Sequence, residues 1–161
     1  MGIYIIKIYK RIKSVFKIII WKLLYGRKFK CCFFNVFYPE THITIDKGQL
    51  TIGKKCFFNH GCSINCMYKI IIGDDCIFGE NVKIYDHNHN YKNNTLIREQ
   101  GFSTNEVIIG NNCWIGSNVT ILKNVHIGNN VVIGAGTIIT KDVEDNMVIF
   151  DEKNEKRLKN E

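Results

Sequence analysis

Apolar residues recur every six positions through the second half of this chain. Ile109, Ile115, Ile121, Ile127, Ile133 and Ile139 keep that spacing without a slip, and Gly110, Gly116, Gly128 and Gly134 follow four of them directly. A second small or apolar residue comes in each interval: Cys113, Val119, Val125, Val131, Thr137 and Val143. An upstream block has the same phase through Ile52, Phe58 and Ile64, then, after an offset, through Ile72, Phe78 and Ile84. A helix needs a period near 3.6 and a single strand a period of 2, so neither fits. Short strands joined by tight turns do fit, each hexamer forming one side of a coil. The branched residue then points inward. Gly, Asn and Asp, as in Gly110-Asn111-Asn112 and Gly128-Asn129-Asn130, supply turns because they tolerate positive φ. A β-sandwich is the alternative, but its strands recur every 8–12 residues. The pattern predicts an all-β solenoid over residues 42–148.

Residues 3–25 follow a different period. Ile5, Ile8, Ile12, Val15, Phe16, Ile19 and Leu23 fall at helical spacing, with Lys7, Lys10, Arg11, Ser14 and Lys17 on another face. This is an amphipathic basic α-helix inside an N-terminal segment 1–30. Lysines interrupt every stretch, so the helix is not expected to span a bilayer. Two roles stay open: attachment to an anionic membrane surface, for which Trp21 and Tyr25 at its end suit the lipid interface, or packing of the apolar face on the open end of the solenoid or on trimer neighbours.

Charge sharpens that division. The chain of 161 residues has a net charge of +7, yet residues 1–30 hold nine basic and no acidic residues, leaving the remainder at −2. A basic end on a near-neutral body points to a local surface contact and away from nucleic acid. Seven cysteines are an odd number for a disulfide scaffold, and Cys56, Cys62, Cys76 and Cys113 fall where the repeat wants a small apolar side chain. We read them as reduced and buried. The first 30 residues offer no clean apolar core or cleavage site for a secretory leader, so a cytoplasmic protein is expected, with the inner membrane face as the place of any peripheral contact. Cys62-x3-Cys66 with His60 nearby lacks a second ligand pair at zinc spacing, and no metal is expected.

The stretches Ile-Gly-Asn-Asn-Cys-Trp-Ile-Gly-Ser-Asn-Val-Thr-Ile (109–121) and Ile-Gly-Asn-Asn-Val-Val-Ile-Gly-Ala-Gly-Thr-Ile-Ile-Thr-Lys-Asp-Val (127–143) resemble the hexapeptide-repeat acyltransferases, most closely the galactoside, maltose and capsular-polysaccharide O-acetyltransferase branch. The resemblance implies a left-handed parallel β-helix, a homotrimer, and acetyl-CoA bound between subunits as co-substrate. The handedness comes from the resemblance alone, since general connection rules favour a right-handed crossover.

The repeat breaks after Ile84 and resumes at Ile108-Ile109, extruding a loop over 85–107 that opens Tyr85-Asp86-His87-Asn88-His89. Long loops in compact folds are commonly functional. Moving an acetyl group from a thioester to a hydroxyl requires removal of the hydroxyl proton, and a neutral imidazole suits that task. The resemblance puts the general base on His89. His87 is the rival, because Asp86 can orient it. The resemblance also assigns Asn59, with Tyr85, to the acceptor sugar. Trp114 falls to the thioester end of the cofactor, Ser117, Gly134 and Ala135 to the pantetheine arm, and Thr140 and Lys141 to the adenosine 3′-phosphate. One departure stands out: relatives end this region with Gly-x-Pro, whereas Phe150-Asp151-Glu152-Lys153 follows here. The tail 151–161 is highly charged and expected to fray.

The expected reaction is transfer of acetyl from acetyl-CoA to a sugar hydroxyl of a glycan, a glycan precursor or a glycoside. N-acetylation of an amino sugar is the alternative within the class. Outside it stand a zinc carbonic anhydrase, thinkable from His60, His87, His89 and His126, and a non-catalytic assembly protein.

Overall fold

The computed structural model describes residues 2–150 and 155–157. Helix α1 (Gly2–Tyr25) precedes a parallel β-helix. The first coil is β1 (Phe29–Cys31), β2 (Val36–Phe37) and β3 (His42–Ile45); the second is β4 (Gln49–Ile52), β5 (Phe57–Phe58) and β6 (Ser63–Cys66). The third is β7 (Lys69–Ile72), β8 (Ile77–Phe78) and β9 (Lys83–Tyr85). A hairpin, β10 (His87–His89) and β11 (Phe102–Thr104), leaves the coil there. The fourth coil follows as β12 (Val107–Ile109), β13 (Trp114–Ile115) and β14 (Thr120–Ile121), and the fifth as β15 (Val125–Ile127), β16 (Val132–Ile133) and β17 (Ile138–Ile139). Then come β18 (Met147–Ile149) and β19 (Glu155–Arg157).

Strands stack in register across coils. The first face of the prism is β1-β4-β7-β12-β15, the second β2-β5-β8-β13-β16-β18 with β19 at its end, and the third β3-β6-β9-β14-β17. The predicted solenoid is therefore present, and its first coil begins at Phe29, ahead of residue 42, where the six-residue pattern becomes legible. The tail, expected to fray, contributes β19, paired antiparallel with β18; its other residues lie outside those described.

The ladders of inward side chains form one core. Phe37, Phe58 and Phe78 stack almost parallel, at 4.7 and 4.4 Å between ring centroids, and Ile115 continues the column. Cys56, Cys62, Cys76 and Cys113 are buried, as their place in the repeat requires, and all seven cysteines are free thiols. Burial pushes the Cys62 and Cys66 thiols up to about 11 and about 12.

The glycines of the turns do a different job from the one expected. Gly110 and Gly128 lack positive φ; the left-handed residues are Asn112, Asn130 and their counterparts. A Cβ on Gly110 would lie 2.6 Å from the Gly128 carbonyl oxygen, so glycine is needed for the approach of one coil to the next. The left-handed asparagines form their own ladder, Asn112 Nδ2 donating to Asn130 Oδ1 and Asn130 Nδ2 to Asn146 Oδ1 at 2.9 and 3.0 Å.

Helix α1 caps the open end of the first coil through Ser14, Ile18, Trp21 and Tyr25. The indole of Trp21 meets Phe37 edge-on at 5.0 Å and Phe29 at 6.0 Å. The Tyr25 hydroxyl donates to the Ile43 carbonyl at 2.9 Å. Both aromatics thus serve the cap, the packing role of the two left open for the helix. The stripe Ile5, Ile8, Ile12, Phe16, Ile19 and Leu23 is exposed. No helix among the described residues is long and apolar enough to cross a membrane.

Candidate active site

The extruded loop is rooted by one buried carboxylate. Asp86 is 0% exposed and caps the turn between β6 and β7 one coil below. Its Oδ2 accepts the Tyr68 and Lys69 N–H groups at 2.7 and 2.8 Å, and Oδ1 accepts Met67 N–H at 2.8 Å. Three consecutive amides converging on a carboxylate form an anion nest. The same Oδ1 lies 3.0 Å from His87 Nδ1. An ionised carboxylate only accepts, so against it Nδ1 of His87 is the donor. Asp86 has no surface with which to touch a substrate and can act on chemistry only through His87.

Beyond Asp86 the chain runs out as the hairpin, pairing His87 with Thr104 and His89 with Phe102. Alternation along the strand puts His87, His89 and Phe102 on one face. Phe102 meets both imidazoles, tilted against His89 at 4.4 Å and edge-on to His87 at 5.5 Å. His89 is the more exposed of the two. It lines a cleft of about 430 Å³ together with Asn88, Asn90, Gln100, Ser103 and Lys123. Gln100 holds the far part of the loop, its Nε2 donating to the Thr95 and Asn93 carbonyls at 2.8 and 3.0 Å. At the return to the coil, Glu106 accepts from Lys69 at 2.7 Å and lies 3.3 Å from His126. The lysine hydrogen bond holds the Glu106 carboxyl below its usual range.

Phe102, Gln100 and Lys123 were not singled out from sequence. Phe102 and Gln100 lie in a run without periodicity. Lys123 did carry a signal, since it occupies the corner position that Lys141 occupies one coil later.

The remaining expected residues divide between two edges of the prism. Thr140 and Lys141 follow β17, on the third-to-first edge where the hairpin leaves. Asn59, Ser117, Gly134 and Ala135 lie on the second-to-third edge. Tyr85 ends β9 and meets His87 edge-on at 6.3 Å. Asn59 Oδ1 accepts the His60 N–H at 2.9 Å, closing its own corner. Ser117 Oγ accepts Glu80 N–H at 3.2 Å. Gly136 has φ of +79° in open space, whereas a Cβ on Gly134 would lie 3.0 Å from Phe150 Cα. A side chain at Gly134 would thus press on Phe150 of the next coil. Trp114 stands 56% exposed on the second face, in an outward apolar ladder that runs Phe57, Ile77, Trp114, Val132. Among the described residues no three His, Cys, Asp or Glu side chains converge as metal ligands.

Comparison with known proteins agrees with this architecture. Residues 106–141 match the bacterial transferase hexapeptide family, described as six repeats. A maltose O-acetyltransferase from Clostridium difficile 630 is 25% identical, over 92% of this chain and 87% of that one, at a TM-score of 0.63. A galactoside acetyltransferase solved with coenzyme A is 28% identical, over 75% of this chain and 64% of that one, at a TM-score of 0.61. A hexapeptide-repeat-containing acetyltransferase from Vibrio cholerae O1 biovar eltor, solved with acetyl coenzyme A, shares the fold at 20% identity, over 94% of this chain and 85% of that one, at a TM-score of 0.70. In its repeat, its stacked coils and these neighbours, the chain is similar to hexapeptide-repeat acetyltransferases, with the family's own pattern matched over residues 106–141.

Proposed function

We propose that the protein transfers an acetyl group from acetyl-CoA to a hydroxyl of a sugar, with His89 as general base. The observation that carries the reading is the hairpin: one long extrusion from an otherwise regular coil, presenting two imidazoles beside a polar cleft. The neighbours solved with acetyl-CoA or coenzyme A support the donor, and the maltose and galactoside enzymes support the acceptor class. In the reaction the acceptor oxygen attacks the thioester carbon as His89 takes its proton. The C–S bond then breaks, and the proton passes to the departing thiolate, giving the O-acetyl sugar and free CoA thiol. No covalent enzyme intermediate is formed. An imidazole within reach of the hydroxyl contributes about 10²–10⁴-fold.

His87 is the second reading, favoured by its bond to Asp86. That bond is the arrangement that fixes which ring nitrogen donates.

The assembly is a homotrimer in this proposal. Donor-side positions Ser117 and Ala135 lie on one edge of the prism and the histidine hairpin on another, so a single chain does not bring them together. A cleft between two chains does, with the exposed ladder around Trp114 as an apolar wall. CoA thiol release across a panel of neutral sugars and amino sugars tests the reading. We expect release with hydroxyl acceptors; activity confined to amino sugars would establish N-acetylation instead. Light scattering should give a trimeric mass, and a fully active monomer would refute the shared site.

A further inference from the structure

Helix α1 has two apolar faces, and the coil uses only one of them. The packing face is Ser14, Ile18, Trp21 and Tyr25. The other is the exposed stripe Ile5, Ile8, Ile12, Phe16, Ile19 and Leu23. At about 100° per residue, this stripe is centred roughly 150° around the helix from the packing face. It therefore looks away from the solenoid along a helix of 24 residues, a length of about 36 Å. Cations border it on both sides. Lys13 stands on one flank, with Lys10 and Lys17 set back toward the coil against Tyr38, and Arg11 and Lys22 stand on the other. Several are held in place: Arg11 donates to the Phe34 carbonyl at 2.7 Å, Lys22 lies over the Phe33 ring at 4.3 Å, and Lys17 donates to the Tyr38 carbonyl at 3.1 Å. Phe33 and Phe34 are themselves exposed beside the helix and widen its apolar surface.

We propose that this outer face of α1 docks the protein on an anionic lipid surface, the apolar stripe entering the acyl boundary and the flanking cations meeting the headgroups. The charge pattern decides the occupant. An interfacial helix combines an apolar face with basic flanks, which is the arrangement here. A second copy of the same stripe is disfavoured, because residues 1–30 carry nine cations and no carboxylate, so two copies would bring like charges together. The solenoid is excluded as the occupant because α1 already packs on it by the opposite face. Glu40, whose carboxylate acts on Lys17, offsets one cation and leaves the flanks strongly positive. The fold ties the helix to the first coil, so docking would hold the whole β-helix at the surface, where a lipid-linked glycan is within reach. The inference concerns location and is independent of the reaction assigned above.

The test is co-sedimentation of the full chain, without any acetyl donor or acceptor, with vesicles of phosphatidylcholine alone or mixed with phosphatidylglycerol. We expect binding to the mixed vesicles only, weakening as salt is raised. Ile12→Asp with Phe16→Asp should reduce binding more than tenfold while leaving the thermal melt and the oligomeric mass unchanged, since neither side chain touches the coil. Lys13→Gln and Lys22→Gln should each weaken it about fivefold, the equivalent of about 1 kcal/mol per cation near the surface. Absence of binding to mixed vesicles would overturn the proposal. So would equal binding to both kinds. A change of oligomeric mass in the double aspartate variant with vesicle binding intact would assign the stripe to a chain–chain interface instead.

Discussion

Replacing Asp86 by alanine should destabilise the protein through three backbone amides rather than through a lost charge pair. The carboxylate is the acceptor for Met67, Tyr68 and Lys69 N–H groups, all within 2.8 Å at their shortest, and is itself fully buried. Alanine leaves those donors facing a small apolar void. An unsatisfied buried donor costs about 1–3 kcal/mol. Tyr68 is exposed and Met67 and Lys69 are half-buried, so water can recover part of the loss. The lower end then applies, about 1 kcal/mol each and about 3 kcal/mol together. For a chain of this size that corresponds to a fall in Tm of about 6–12 °C. Asp86→Asn keeps one acceptor oxygen and should fall between the two. The assay is thermal unfolding followed by far-ultraviolet circular dichroism on the parent and both variants. The same variants should lose transfer activity as well, because the root of the hairpin and the tautomer of His87 both depend on that carboxylate. A melt of Asp86→Ala within about 2 °C of the parent would refute the reasoning and show that the turn finds its acceptors elsewhere.

His89→Ala should lower kcat by about 10²–10⁴ with CoA binding and oligomeric mass unchanged, and His87→Ala by about tenfold; the reverse order in a thiol-release assay would exchange their roles. Burial and thiol pKa values of about 11 and 12 at Cys62 and Cys66 should make both inert to a thiol reagent at pH 7.5, with half-buried Cys32 the first to react, and mass spectrometry after brief labelling reads this directly. Glu106 carries a lowered carboxyl pKa, so its contribution is present above the ordinary carboxylate value and disappears as pH falls through the lowered one. Melting temperatures measured from pH 7 down to pH 3 should therefore fall more steeply for the parent than for Glu106→Gln; parallel curves would show that the Lys69 pair adds nothing to stability.

The six-residue period was enough to place the coils from Ile52 onward, because every apolar residue it marks there is buried, while the first coil from Phe29 escaped it. Ile109 to Ile139, the cysteines of the same phase and the extrusion between Ile84 and Ile108 all stand where the pattern put them. Turn asparagines were legible as a class, but the division of labour was not. Left-handed φ falls to Asn112 and Asn130, while Gly110 makes room for the next coil, a requirement that exists only once coils stack.

For the site, sequence located the loop and its histidines. It offered Asp86 as the partner of His87 but not what holds that carboxylate, because the nest comes from residues 67–69, a full coil away. Stacking also decided that Ser117 and Ala135 lie on a different edge of the prism from the histidine hairpin, while Thr140 and Lys141 share its edge. The helix shows the limit most clearly. Its sequence contains two apolar faces, and local periodicity favours the stripe with more isoleucines. Tertiary packing chose the other, because Trp21 and Ile18 can close the open end of the Phe37 column while Ser14 satisfies the Phe37 backbone there. Hydrophobic periodicity reports which faces can be buried; shape and hydrogen-bond complementarity at the end of the coil determine which one is.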